Sequence, residues 1–519
     1  MEYIGLHEIS GSIAILEGVT TASYDEIVRI EAPNTTPRMG RVLKIEGERA
    51  VVLVFEGTAG LSLSSAVTKF TGRHMEITLS PEIIGRKFDG MGNPIDGMGS
   101  IRGKIRRNIN GKPVNPVNRS YPRSYMHTGI SAIDCLATLI RGQKLPIFSA
   151  DGLPHDILAT QISPSGGQHC FHTVGVSVSV SQPDTDVRQV RSHTVEAATA
   201  PSPDGERPRL HTAGTTVADS QLAKNGEQLH SHAVEDFTSG ANRSGRKMRP
   251  DLPEHSAPEK FATVFAAMGV SHDTARYFQD SFDESERDYI MFQNLASDPT
   301  AQRIATPRLA LTAAEYLAYD LGYHVLVILT DITSYAEALR EISSQQGEIP
   351  SRKGYPGYMY SDLASLYERA GIIKNKPGSV TQIPILTMPS EDITHPIPDL
   401  TGYITEGQIV LDRSLHQKNI YPPINVLPSL SRLMKDGIGE GYTTKEHPAI
   451  AAKLFAAYVK VEDIRALAAI IGEDDLSPED KMLLNFGKQF EAKFLSQSPH
   501  ESRSLAQTMS IAEELLQAI

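Results

Sequence analysis

The 519-residue chain is poor in cysteine, with only Cys135 and Cys170. Two thiols are too few for a disulfide framework or a four-cysteine metal site, and their scarcity fits a reducing compartment. No apolar run approaches the ~18 residues that a membrane-spanning helix needs, and the first residues lack the basic and apolar regions of a signal peptide. We therefore expect a cytoplasmic protein without redox chemistry or structural zinc.

Positive charge is also scarce. The chain has 50 Lys and Arg against 62 Asp and Glu, a formal net charge of −12. Domains that bind nucleic acid usually carry a basic excess, so we expect no nucleic-acid partner. The composition, 40% hydrophobic and 22% charged, is that of a globular protein, and at about 150 residues per domain the length predicts roughly three domains.

Residues 1–79 predict a six-stranded β-barrel, because short alternating apolar stretches are separated by turn-forming residues. Closure into a barrel removes the exposed edges that so small a sheet would otherwise have. The predicted strands are residues 11–19, 26–32, 39–47, 50–55, 67–70 and 75–79.

Residues 80–435 predict an α/β domain of the nucleotide-binding type, with a parallel sheet between two layers of helices. The clearest strands are nearly continuous in apolar residues, as buried parallel strands are. They are residues 144–148, 261–267, 324–329 and 383–388, and predicted helices at 313–320 and 335–344 lie between them.

Residues 436–519 predict a helical bundle. An apolar stripe at helical spacing marks its first helix, and Ser477-Pro478 begins a second with a capping residue and a proline in the first turn. The first stripe is Leu454, Tyr458, Leu467 and Ile471, and the second is Leu483, Phe490 and Phe494.

Residues 163–259 fit none of these domains. These 97 positions hold four Leu, no Ile and no Tyr, which is too little apolar surface to offset chain entropy, so we expect a disordered insertion. It contains two His-rich stretches, residues 169–172 and 230–232, without the ligand spacing of a metal site. We expect no metal to bind there.

The loop 149–155 (Ser-Ala-Asp-Gly-Leu-Pro-His) follows a predicted strand and precedes a helix, where nucleoside triphosphatases cradle phosphate. Its Gly-Lys-Ser/Thr ending is absent, so the loop lacks the cation for phosphate and the hydroxyl for magnesium. Ser149 and Gly152 are at most weak nucleotide contacts. From the residues alone, an ordinary strand, turn and helix is the simpler interpretation.

Longer stretches resemble the B subunit (beta chain) of V-type and A-type rotary ATPases, the non-catalytic or regulatory one. The similar stretches are residues 85–90, 94–96, 128–134, 141–149, 152–155, 261–270, 307–318 and 383–441. The resemblance covers most of the chain outside residues 163–259 and implies a RecA-like nucleotide-binding core.

The resemblance also implies an assembly. Three copies would alternate with three catalytic A subunits in a ring, joined through a central rotor and peripheral stalk subunits to a membrane ion-conducting sector. The ring would lie at the cytoplasmic face of the cell membrane and make ATP from ADP using a proton or sodium gradient, or run in reverse. ATP or ADP with Mg²⁺ would bind at the interface with the catalytic subunit and not on this chain alone.

Two residues have roles implied by the resemblance. Val270 stands where the catalytic chain has the glutamate that positions the attacking water, and valine cannot accept a proton. Arg432, in the motif Pro428-Ser429-Leu430-Ser431-Arg432, would be an arginine finger that reaches the neighbour's nucleotide. A guanidinium suits this role because it stays charged and offers a planar fork of donors to phosphoryl oxygens.

Two other functions compete with this one. The chain could be a nucleotide-binding scaffold without a catalytic contribution, or an autonomous ring NTPase such as a nucleic-acid translocase. The second would need an intact phosphate loop and a basic track for nucleic acid.

Overall fold

The computed structural model describes residues 2–33, 35–111, 114–162, 259–284 and 288–519. The predicted insertion at 163–259, with both of its His-rich stretches, lies outside the described residues except for Glu259. Its disorder therefore stays a prediction.

The N-terminal domain is an antiparallel sheet of seven strands that encloses an apolar core. Its strands are β1 (Glu2–Ile4), β2 (Glu8–Ser10), β3 (Ile13–Leu16), β4 (Ile27–Glu31), β5 (Arg38–Glu46), β6 (Arg49–Val54) and β7 (Val67–Phe70). They are ordered β1-β7-β4-β5-β6-β3-β2. Alternate residues such as Val28 and Ile30 are fully buried in the core of this sheet.

The set of strands that forms this sheet differs from the predicted set. Five of the six predicted strands belong to it, and the short strands β1 and β2 complete it. The following strands are β8 (Glu76–Leu79), β9 (Lys87–Asp89), β10 (Ile105–Asn108) and β11 (Arg119–Ser120). The predicted sixth strand is β8, which pairs with β10 outside the sheet because Ile77 and Leu79 pack into the core of the central domain.

A larger sheet forms the central domain, with helices on both faces. Its elements are α1 (Ser131–Leu136), β12 (Ile147–Ser149), α2 (His155–Ile162), β13 (Phe261–Val270), α3 (His272–Asp283), β14 (Tyr289–Leu295), α4 (Thr300–Arg303), α5 (Thr306–Tyr319), β15 (His324–Thr330), α6 (Ile332–Gln345), α7 (Met359–Tyr367), β16 (Gly371–Ile373), β17 (Ser379–Thr387), α8 (Pro396–Ile404), β18 (Gly407–Leu411), α9 (Arg413–Gln417), β19 (Ile424–Ser431) and α10 (Met434–Gly437).

Strand direction in this sheet is parallel from β18 through β12, β17, β15, β13 and β14 to β9. Edge strand β19 is antiparallel to β18. The central strands contribute side chains to two hydrophobic cores, one on each face of the sheet. In β13, Val264 and Ala266 belong to one apolar cluster, whereas Phe265 and Ala267 belong to the other. This alternation explains why the strands read as continuous apolar runs, and it confirms the predicted parallel sheet.

The C-terminal domain consists of α11 (His447–Ile471), α12 (Pro478–Gln489) and α13 (Leu505–Gln517). Ser477 caps α12 as predicted, its hydroxyl accepting the Asp480 N–H at 3.1 Å. Phe490 and Phe494 are fully buried as predicted, and their stacked rings lie 5.1 Å apart.

The predicted stripe of α11 is only half correct. Leu454 and Tyr458 are buried, but Leu467 and Ile471 are each 42% exposed. The helix has 25 residues, and its second half packs Ile464 and Ala468 against Leu476 and Leu484, so Leu467 and Ile471 lie outside this contact. Helical spacing therefore identified the helix but not which side of its second half is covered. In the described part of the chain, no helix is long and apolar enough to cross a membrane.

His324, the first residue of β15, allows a test of how the stability of the protein depends on pH. Its Nδ1 lies 2.9 Å from Ser379 Oγ, and its ring stacks on Phe261 with centroids 5.2 Å apart. Burial, helped by the charge of Arg141, lowers the pKa of His324 to about 4. The folded state therefore keeps this imidazole neutral at pH values where the unfolded chain is protonated.

We expect His324 to lower the free energy of unfolding as the pH falls from about 6.5 to 4. Over this range the unfolded state binds a proton at His324 that the folded state does not bind. The effect is about 1.4 kcal/mol for each unit by which the pKa is lowered. Thermal unfolding of His324→Gln at pH 7.5 and 5 should show a smaller acid loss than the native chain. The control is His74→Gln on the barrel surface, and equal acid losses in His324→Gln and the native chain would contradict the expectation.

Candidate functional site

The carboxyl ends of the parallel strands bring two predicted residues, Ser149 and Val270, and a further residue, Asp331, to one edge of the sheet, the usual ligand edge of such sheets. Ser149 ends β12, Val270 ends β13, and Asp331 directly follows β15. The Met388 N–H donates to the Ser149 carbonyl at 2.8 Å, and the Thr387 N–H donates to the Asp331 carboxylate at 3.2 Å. We call this the loop edge, because the loop 149–155 lies there.

The loop is a tight turn that is bonded to itself. Ser149 is fully buried, and its hydroxyl lies 3.0 Å from His155 Nδ1. The Leu153 N–H donates to the Ala150 carbonyl at 3.1 Å, and the His155 N–H donates to the Leu153 carbonyl at 2.8 Å. These two amides are therefore already paired and are not aimed at a ligand.

Gly152 is the one loop residue whose backbone calls for glycine. Its φ is +77°, and a Cβ there would meet nothing within 4 Å. The requirement is thus conformational and not steric.

Carboxyl groups dominate the charge at the loop edge. Burial raises the pKa of Asp156, although the neighbouring His155 opposes the rise. Burial also raises the pKa of Asp331, whose carboxylate caps α6 by accepting the Thr333 N–H at 2.7 Å. Without a lysine in the loop, this set of groups does not fit a magnesium triphosphate held by this chain alone.

A cation that the sequence did not reveal also lies near this edge. Arg413, the first residue of α9, donates to the Asp151 carbonyl at 2.8 Å and pairs with Glu391 at 2.5 Å. Arg413 and Asp151 are 262 positions apart, and no local pattern marks either as a partner of the other.

Val270 is the last residue of β13, the position that the resemblance relates to a carboxylate of the catalytic chain. It is 9% exposed and belongs to the apolar cluster that includes Leu153 and Ala275. Within the described ranges, no group of three or more His, Cys, Asp or Glu side chains is arranged to hold a metal ion.

Arg432 lies at the opposite edge of the sheet. It follows the last residue of antiparallel β19, and its N–H donates to the Glu406 carbonyl at 2.9 Å, just before β18 begins. The register of β12 with β18 pairs Ile147 with Ile409, so Glu406 and Arg432 are level with residue 144, three positions before β12 begins. Ser149 is five residues further on, roughly 16 Å along the strand. Arg432 and the loop therefore do not form one site within one chain.

Neutral groups hold the Arg432 side chain. Its Nη1 donates to the Thr405 carbonyl at 3.1 Å, and its Nη2 approaches the Gly402 carbonyl at 3.5 Å. Both carbonyls are at the C-terminal end of α8, where the helix dipole favours a cation. The residue is exposed and makes no ion pair with any carboxylate in the described part of the chain, so its charge is available to an outside anion.

Three family models match the three successive domains of the chain. A family model for the β-barrel domain of the ATP synthase alpha/beta family matches residues 6–72. The model for that family's nucleotide-binding domain matches residues 129–231 and 244–431, and the C-terminal domain of V and A type ATP synthase matches residues 436–519. The chain belongs to the ATP synthase alpha/beta family, and the predicted fold class is confirmed.

Relatives place the chain within this family. It is 48% identical over 518 residues to V-type ATP synthase beta chain 2 of Clostridium tetani, covering 99% of this chain and 94% of the relative. It is 45% identical over 520 residues to the B subunit of the A-type ATP synthase of Aeropyrum pernix, covering 100% and 94%. These relatives confirm the recognition of a B (beta) chain of V-type and A-type ATP synthases, a component of that complex.

A solved structure agrees with this placement. The ATP synthase subunit NeqB of Nanoarcheaum equitans is 32% identical, covers 95% of this chain and 99% of its own, and superposes with a TM-score of 0.63.

Two glycines provide a matched test of the geometry at the two edges. Gly407 has φ +141°, and a Cβ there would lie 2.2 Å from the Leu430 carbonyl, two residues before Arg432. Gly407→Ala should therefore destabilise the protein by about 3 kcal/mol or more. Gly152→Ala meets open space and should cost only roughly 1–2 kcal/mol. Urea unfolding of the two variants compares them directly, and equal midpoints would contradict the expectation.

Proposed function

We propose that this chain is the non-catalytic, regulatory B subunit of an A-type or V-type ATP synthase. The complex makes ATP from ADP with a transmembrane proton or sodium gradient, or works in reverse. The chain comprises a barrel domain at 1–79, a nucleotide-binding-type domain at 80–435 that is interrupted by the segment 163–259, and a helical domain at 436–519. The full-length relatives support this proposal.

The proposed assembly is a ring in which three copies alternate with three catalytic A subunits. The ring is coupled through a central rotor and peripheral stalk subunits to a membrane ion-conducting sector, and it lies peripherally at the cytoplasmic face of the membrane. In such a ring each subunit contacts two neighbours through two different faces, so one chain contributes to two different interfaces.

The position of Arg432 is the observation that carries the functional proposal. It is exposed, free of carboxylate partners in the described ranges, and at the opposite sheet edge from the chain's own loop. An arginine placed in this way serves a nucleotide bound by a neighbour. Its guanidinium would bind phosphoryl oxygens and stabilise the charge that develops on them in the transition state.

The loop edge supports the non-catalytic part of the proposal. The loop has no lysine, two of its amides are bonded internally, and Val270 offers no carboxylate to position water. ATP or ADP with Mg²⁺ is therefore the substrate of a site completed by the catalytic subunit, and Ser149 and Gly152 contribute weakly or not at all to nucleotide binding. The regulatory role follows if nucleotide affinity depends on the state of the shared interface.

The isolated chain should hydrolyse Mg-ATP only at background rate, because it lacks both the phosphate cation and the water-positioning carboxylate. Steady-state phosphate release from purified chain checks this, with the ring reconstituted with its catalytic partner as the positive control. Turnover in the isolated chain comparable to that of the ring would favour the autonomous NTPase instead.

Arg432→Ala should reduce ATP hydrolysis by the reconstituted ring by about 10³-fold or more, because the transition-state charge loses its partner. Arg432→Lys should recover only part of the rate, since an ammonium cannot make the forked contact. Steady-state hydrolysis is measured after size-exclusion chromatography has shown that each ring assembles.

The matched control is Arg73→Ala, which removes an exposed arginine from the barrel domain and should leave the rate unchanged. An intact Arg432→Ala ring with normal turnover would overturn the finger assignment and favour a nucleotide-binding scaffold.

A further inference from the structure

Glu406 lies directly across from Arg432. Gly407 pairs with Ser431 in the antiparallel register of β18 and β19, and the Arg432 N–H donates to the Glu406 carbonyl one residue further on. Directly opposed residues on antiparallel strands place their Cβ atoms about 5 Å apart on the same face, where opposite charges attract. An ion pair between these two side chains is the ordinary expectation.

That ion pair does not form. Arg432 turns towards the carbonyls of Thr405 and Gly402, and the Glu406 carboxylate turns towards Lys144. Lys144 donates its backbone N–H to Glu406 Oε2 at 2.8 Å, and its Nζ lies 3.0 Å from Glu406 Oε1. Both carboxylate oxygens of Glu406 are thus held by one residue of the neighbouring segment.

Lys144 is well placed to keep this contact. Its side chain is only 6% exposed, so its charge must be paired within the protein. Its Nζ also lies 2.6 Å from Glu368 Oε1, which places the ammonium between two carboxylates. Glu406 is 30% exposed, and removal of this buried cation would leave its carboxylate with only the backbone N–H of residue 144 as a partner there.

We infer that Lys144 is a positioning residue that keeps Arg432 available to the neighbouring subunit. By holding the Glu406 carboxylate, it prevents the cross-strand ion pair that would withdraw the guanidinium from the interface. This inference rests on the proposed role of Arg432 as a finger in trans. It adds that Arg432 can act in trans only while Glu406 of the same chain does not form an ion pair with it.

The size of the effect depends on how often Glu406 captures Arg432 once Lys144 is gone. If the arginine is captured nine times in ten, the competent fraction falls about tenfold, and so does kcat. The KM for ATP should change little, because the finger acts on the transition state and not on ground-state binding.

The experiment compares rings reconstituted with Lys144→Met, Lys144→Met/Glu406→Gln and Arg432→Ala. We expect Lys144→Met to lower kcat about tenfold with little change in KM. The double variant should recover most of the rate, because a neutral amide does not capture a guanidinium. A general packing defect at Lys144 would not be repaired by a second substitution.

Two results would overturn the inference: full kcat in the assembled Lys144→Met ring, or a double variant as slow as the single one. If Lys144→Met does not assemble, Lys144→Gln tests a weaker form of the same change: its neutral amide removes the charge that holds Glu406, so we expect a smaller loss of kcat, and full kcat would again overturn the inference. Arg432→Ala separates the two proposals. Normal turnover there removes the finger itself, whereas a slow Arg432→Ala ring beside a fully active Lys144→Met ring removes only the role of Lys144.

Discussion

The common direction of the strands from β18 to β9 is the constraint on which the rest of this structure depends. Parallel strands must be connected across the sheet, so helices cover both faces and the strands become apolar throughout. Because these strands share one direction, their carboxyl ends lie at the same edge of the sheet, where the loop 149–155 is found. Edge strand β19 runs antiparallel to β18, and Arg432 directly follows it at the far edge.

Separation of the two edges gives one chain two independent tasks. In the loop 149–155, Gly152 has a positive φ, and the Ser149 hydroxyl is bonded to His155. The edge with Arg432 has a charge held by neutral carbonyls. In the proposed ring, this arrangement would allow chemistry to be absent at one interface and present at the other, because neither edge shares residues with the other.

Much of the fold could be predicted from the sequence because neighbouring residues specify many of its helices and strands. A continuous apolar strand such as β13, or the cap at Ser477, is specified by neighbouring residues. The strands β1 and β2 have three residues each, which is too short for alternation to register. The pairing of β8 with β10, the exposure of Leu467 and the contact of Arg413 with the loop depend on segments far away in sequence. The link from Lys144 to Glu406 is of the same kind, since 262 positions separate the two.

Gly407 and Gly152 both have a positive φ, yet the consequences for sequence variation at the two positions differ. At Gly152 a side chain has room, so a lineage that tolerates modest backbone strain can accept other residues there. At Gly407 any side chain would collide with the Leu430 carbonyl, and relief of the collision would shift the strand that ends in the arginine. Sequence drift is therefore sterically open in the loop 149–155 and closed beside Arg432.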